Sequence, residues 1–139
     1  MAYVPKDRDG EALMMGASIQ NNFCLPSVET LKGRFGFLSP KKLYQASSKA
    51  REQFSVKSTG VDQLMRALSG GNKQKVNLGR WLIKDLDVLI VDCPTRGVDI
   101  GVKAYIYQCL REAKEKGMAI LLITDELSKS LAWPTPSPS

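Results

Sequence analysis

A chain of 139 residues with 43% hydrophobic and 24% charged side chains has the composition of one globular domain, which excludes a wholly disordered polypeptide. The formal net charge of +6 comes from Lys and Arg residues spread along the sequence, so no basic tract marks a nucleic-acid or lipid surface. Histidine is absent and Cys24, Cys93 and Cys109 stand far apart without a CxxC pair, which excludes the common Cys/His zinc frameworks and suits a reducing compartment.

In chain order, the polar Lys6-Asp7-Arg8-Asp9 does not read as a secretory signal. Residues 1–38 read as irregular, with turn signals at Asp9-Gly10, Gly16 and Pro26. Ser39-Pro40 reads as a helix start, Ser39 as N-cap and Pro40 in the first helical position. Leu43, Ala46, Ala50 and Phe54 continue it at helical spacing to about Val56. Ser58-Thr59-Gly60 breaks the pattern, and 62–68 predicts one more short helical turn. After Ser69-Gly70-Gly71, a helix is expected from Asn72 to about Lys84, with Val76, Leu78, Leu82 and Ile83 on or near its buried side. The β-branched apolar run Val88-Leu89-Ile90-Val91 suits a buried parallel strand, ending at Asp92-Cys93-Pro94-Thr95. Val102, Ile106, Leu110 and Ala113 mark a helix from about Gly101 to Lys116, with Gly117 as its C-terminal cap. A second apolar strand, Ala119 to Ile123, ends at Thr124-Asp125-Glu126. Strand, helix and strand in this order make a βαβ unit with a right-handed crossover expected. The longest apolar stretch, Met118 to Ile123, is far too short to span a bilayer. Trp133 to Ser139 has the Pro/Ser/Thr composition of a disordered tail.

Two constellations carry chemistry. In Leu68-Ser69-Gly70-Gly71-Asn72-Lys73-Gln74-Lys75-Val76, a serine and two glycines precede a helix. Backbone N–H groups at a helix N-terminus, with the Ser69 hydroxyl, make an anion site to which Asn72 and Lys73 can add donors. Taken alone, Ser-Gly-Gly reads first as an ordinary glycine turn with Ser69 as a cap. The second constellation is Asp92, at the C-terminal end of an apolar parallel strand, where open α/β sheets bind ligands. An aspartate there can order Mg²⁺ beside phosphates, or merely cap the turn before Pro94. Adjacent Asp125 and Glu126 suggest a general acid/base pair, but neighbours on an extended segment point to opposite faces.

Together these segments resemble the signature motif and Walker B strand of ABC ATPases, spaced roughly fifteen residues apart as in that family. Pro94-Thr95-Arg96-Gly97-Val98-Asp99 resembles the approach to its D-loop. Asn after the glycines, Pro-Thr-Arg-Gly-Val-Asp, Tyr3-Val4-Pro5-Lys6-Asp7-Arg8-Asp9-Gly10 and Met15-Gly16-Ala17-Ser18-Ile19 are similar to the second ATPase domain of ribose/galactose-type sugar importers. The resemblance runs from about residue 3 to 131. It implies an α/β fold, a partial P-loop NTPase-like ATPase domain with a parallel βαβ core plus a helical subdomain. Residues 1–68 are expected to form an N-terminal segment and helical-subdomain-like region, 69–131 the signature helix, Walker B strand and βαβ core, and 132–139 a tail. The resemblance further implies that Ser69, Gly70, Gly71 and Asn72 bind the γ-phosphate of ATP held by an opposite ATPase domain. It makes Asp92 the Walker B carboxylate that holds Mg²⁺ through the nucleotide, and Asp99 the D-loop aspartate that touches the partner domain. It assigns ATP and Mg²⁺ as cofactors of the intact assembly. A P-loop-bearing ATPase domain and a membrane permease, met by residues 15–68, are the implied partners, at a cytoplasmic location peripheral to the inner membrane.

The sequence departs from that pattern in ways that alter the expected activity. No GxxxxGK[ST] loop is present, so nothing in the chain wraps a β-phosphate. Cys93 stands where the family has the glutamate that polarises the attacking water, and Asp125 stands at the switch-histidine position. A thiol is a poor substitute for a carboxylate base, and Cys93 reads as a small buried residue rather than a reactive thiol. Lys6 replaces a glutamate common in this subfamily, and the resemblance stops beyond Leu131. The expectation is a fragment that supplies signature and Walker B elements, does not hydrolyse ATP alone and binds no nucleotide tightly alone. Two alternatives remain. One is an inert or interaction module from a decayed domain, forming a homo-oligomer through apolar sheet surface left unpaired by a missing P-loop strand. The other is a nucleic-acid-associated ABC fragment, motivated only by the charge and opposed by the sugar-importer motifs.

Overall fold

The computed structural model describes residues 2–5, 10, 13–33, 36–84 and 86–123, without the side chains of 30 and 31. Their elements are β1 (Ala2–Val4), α1 (Ile19–Cys24), a 3₁₀ turn (Leu25–Ser27), α2 (Val28–Leu31), α3 (Pro40–Gln53), a second 3₁₀ turn (Met65–Ala67), α4 (Gly70–Leu82), β2 (Val88–Asp92), α5 (Ile100–Glu115) and β3 (Ala119–Ile123). The three strands form a parallel sheet in the order β1-β2-β3. The expected βαβ unit is therefore present as β2-α5-β3.

The expectation that residues 1–38 are irregular is corrected. Ala2, Tyr3 and Val4 pair with Leu89, Ile90 and Val91 of β2, so a three-residue strand exists through its partner rather than through its own pattern. Ser18 caps α1, its Oγ accepting from the Asn21 N–H at 3.1 Å. The N–H groups of Ile19 and Gln20 donate to the Gln63 and Val61 carbonyls at 2.9 Å, replacing the carbonyls that a helix start lacks. Fully buried Asn22 accepts from the Met14 N–H and donates to the Met14 and Ser18 carbonyls, pinning the incoming chain to the helix.

Other boundaries move by a few residues. Ser39 occupies the N-cap of α3 without a side-chain cap bond, and the helix stops at Gln53, where Phe54 and Ser55 (φ 53°) turn the chain. The expected short turn at 62–68 is the 3₁₀ turn Met65–Ala67. Helix α4 begins at Gly70, two residues before the expected Asn72, because Ser69 caps it. At the end of α5, Gly117 (φ 99°) lets the Met118 N–H reach the Ala113 carbonyl and its own N–H reach that of Lys114, the bond pair of a Schellman C-cap.

Two apolar clusters hold the fold together. Ile19, Phe23, Ala50, Phe54, Val56, Met65, Leu68 and Val76 pack in the helical lobe, where the Phe23 and Phe54 rings stack at 6.5 Å. Ala2, Val4, Leu78, Leu89, Val91, Ile106 and Leu110 pack between one sheet face and helices α4 and α5. Helix α4 serves both, with Val76 in the first and Leu78 in the second. A Cβ added at Gly79 would lie 2.7 Å from the Phe54 ring, so glycine there lets α4 approach the helical lobe closely. No helix among the described residues is long and apolar enough to cross a membrane.

Candidate functional site

Ser69, Gly70, Gly71 and Asn72 form the start of α4. Ser69 is exposed and extended (φ -65°, ψ 161°), and its Oγ accepts from the Asn72 backbone N–H at 3.3 Å and the Asn72 side-chain amide at 3.0 Å. Asn72 Oδ1 accepts from the Lys57 N–H at 3.0 Å. The Asn72 side chain is thus engaged locally, while the Ser69 hydroxyl keeps its own proton to donate. The N–H groups of Gly70 and Gly71 open the helix, where no carbonyl of the same helix can reach them. A Cβ on Gly71 would lie 2.8 Å from Val102 Cγ2 on α5, so this glycine also permits the close approach of two helices. The simple turn and the anion cradle are therefore the same backbone: it is capped by Ser69 and it presents two donors with the positive end of a 13-residue helix behind them.

Val102, against which Gly71 packs, lies in the first turn of α5. Asp99 caps that helix, Oδ1 accepting from the Val102 N–H at 2.9 Å. The start of α4 and the Asp99 cap are thereby brought together. A second link is Gln74, 3% exposed, whose side-chain amide donates to the Pro94 carbonyl at 2.6 Å just beyond Asp92. Its carbonyl oxygen accepts from the Asn77 amide at 3.4 Å, and Thr95 Oγ1 lies 3.5 Å from the Tyr107 hydroxyl. Sequence reasoning passed over Gln74, although an amide four residues before Leu78 on a buried helix face was a visible signal.

Asp92 ends the central strand and is half-buried. The Tyr3 hydroxyl donates to Asp92 Oδ2 at 3.0 Å. The sequence marks Tyr3 only within the run Tyr3 to Gly10 and gives it no role at Asp92, because only the pairing of β1 with β2 brings it there. Cys93 follows in the left-handed region (φ 46°), 93% buried, its N–H donating to the Ile123 carbonyl at 2.8 Å. A non-glycine residue held there carries strain of about 1 kcal/mol or more, which bends the chain sharply away from the strand. Burial pushes the Cys24 thiol up, and burial likewise raises Cys109, partly offset by the Tyr105 hydroxyl. Both suit packing better than nucleophilic chemistry. Asp125 and Lys6 lie outside the described residues.

The chemistry of the donor set decides what this site can hold. No group of three or more metal-ligating side chains occurs among the described residues. Asp92 offers hard carboxylate oxygen, which fits a Mg²⁺ ion bound through one carboxylate together with phosphate oxygens and water, but not a cation caged by protein alone. The open end of α4, with hydroxyl and backbone donors, a lysine and no carboxylate among Ser69 to Lys73, fits an anion.

The ABC transporter family model matches residues 1–96. The chain is 41% identical over 128 residues to a ribose import ATP-binding protein of Streptomyces avermitilis, covering 92% of this chain and 24% of that protein. It is 38% identical over 130 residues to a galactose/methyl galactoside import ATP-binding protein of Treponema pallidum (94% and 26%), and 37% identical over 131 residues to an L-arabinose transport ATP-binding protein of Geobacillus stearothermophilus (94% and 25%). The chain spans about a quarter of the length of these curated relatives. A dimeric bacterial ABC transporter cassette superposes with a TM-score of 0.73 at 20% identity, covering 91% of this chain and 52% of that one. The α/β fold is that of part of such a cassette, and the chain belongs to the ABC transporter family.

Proposed function

We propose that this chain is part of the ATP-binding subunit of a sugar-import ABC transporter and donates its signature helix to a nucleotide held by another ATPase domain. The supporting observation is the start of α4. Ser69, Gly70 and Gly71 present a hydroxyl and two backbone donors at a helix N-terminus, seated on the Asp99-capped end of α5. Such preset donors stabilise phosphate charge without reorganising. Asn72 acts in this reading by orienting Ser69. Asp92 holds Mg²⁺ through the nucleotide, which supplies phosphate-charge neutralisation, and Asp99 faces the partner ATPase domain. The helical region of 15–68 meets a membrane permease, so the assembly sits at the cytoplasmic side of the inner membrane.

The chain does not hydrolyse ATP by itself in this proposal, because Cys93 stands where a carboxylate base is needed and no segment wraps the β-phosphate. Asp125 at the switch-histidine position adds to that reading.

Calorimetry with a non-hydrolysable Mg²⁺–ATP analogue tests it. The chain alone is expected to give no binding heat, while its addition tightens nucleotide binding by a P-loop-bearing first ATPase domain of a sugar importer. Ser69→Ala should remove most of that gain. Binding by the chain alone, or no effect on the first domain, defeats the proposal, and ATP turnover by the pure chain defeats its non-hydrolysing part.

The open sheet face favours a second reading, an interaction module that self-associates, since Tyr3, Leu121 and Ile123 are each more than 40% exposed. Sedimentation showing a monomer at all concentrations removes that reading.

A further inference from the structure

The Tyr3–Asp92 bond gives Tyr3 a task beyond strand packing. Tyr3 sits opposite Ile90 in the β1-β2 register, and Asp92 lies two residues further along β2, hence on the same sheet face. This face carries no helix among the described residues, and Tyr3 is 49% exposed. Its ring therefore contributes little burial, whereas its hydroxyl reaches Asp92 Oδ2 at 3.0 Å. The bond selects one rotamer of a half-buried carboxylate and engages one of its two oxygens. Oδ1 is left as the oxygen for a ligand.

We propose that Tyr3 is a positioning residue for Asp92, holding Oδ2 so that Oδ1 meets a divalent cation in a preset orientation. The inference rests on the reading of Asp92 as the Mg²⁺-holding carboxylate. It follows from a general property of metal sites: ligating carboxylates are themselves hydrogen-bonded, and the outer partner fixes the geometry of the inner one. A single carboxylate binds such a cation weakly. Freezing its orientation beforehand removes an entropic cost that a freely rotating aspartate would meet on binding. The opposing effect, withdrawal of charge from the carboxylate by the phenol, makes the sign of the outcome diagnostic.

The test uses the whole 139-residue chain and Mn²⁺ alone, followed by paramagnetic broadening of backbone amide resonances. In the wild type, broadening at Val91 and Cys93 is expected to saturate at millimolar Mn²⁺, and Asp92→Asn should abolish it. Tyr3→Phe keeps the ring and the fold, which an unchanged urea midpoint verifies, and should raise the half-saturating Mn²⁺ concentration roughly 3- to 10-fold. Broadening in Tyr3→Phe at the wild-type concentration, or at a lower one, overturns the positioning role while leaving Asp92 as a ligand. Broadening that Asp92→Asn does not remove overturns both the role and the reading of Asp92 on which it rests.

Discussion

On the sheet face covered by α4 and α5, Val4, Leu89 and Val91 are fully buried, whereas on the opposite face Tyr3, Leu121 and Ile123 remain between 43% and 55% exposed. The same three strands supply both sets by simple alternation. The covered face stabilises the fold by removing apolar surface from water. The open face carries Asp92 and Tyr3 and keeps them accessible. Apolar residues on the open face are therefore not part of the core that the described residues make.

The largest effect expected from this division is at Leu89. Leu89→Ala leaves a cavity between the central strand and α5 and should cost about 2–5 kcal/mol in urea unfolding. A loss under about 1 kcal/mol would mean that the covered face is not the core. Gly79→Ala drives a methyl group into the Phe54 ring from 2.7 Å and should cost about 1–3 kcal/mol, because the helical lobe and α4 must separate. Asp99→Ala removes the α5 cap at the rim of the candidate site and should cost about 1 kcal/mol in thermal unfolding. The smallest effect belongs to the open face: Leu121→Thr should change stability by no more than about 0.5 kcal/mol. If that substitution destabilised the chain as strongly as Leu89→Ala, the open face would be buried in solution and the contrast would collapse.

Much of the second half of the chain was legible beforehand. Helices α4 and α5 and strands β2 and β3 follow from local signals: apolar spacing, Ser69 and Gly117 at helix ends, and the run Val88 to Val91. The candidate residues Ser69, Gly70, Gly71, Asn72, Asp92 and Asp99 were visible too, because two of them cap helices and one ends a strand. The double use of these residues was not visible. Gly71 clears space for Val102 while opening the helix, and Asp99 caps α5 at the place where α4 abuts it. The first 38 residues were misread for a related reason. Helix α1 and strand β1 are completed by hydrogen bonds to residues 61–66 and 89–91, which no local window contains.

By itself, the sequence determined the family, the parallel βαβ unit and the residue types at the candidate site, since each depends on neighbours within a few positions. Tertiary structure alone decided that β1 joins the sheet and that Tyr3 lies on Asp92. It likewise decided that Gln74 ties α4 to Pro94 and that one sheet face stays open among the described residues. Those outcomes depend on strand register and helix packing, in which partners far apart in the chain satisfy each other's backbone and side-chain groups.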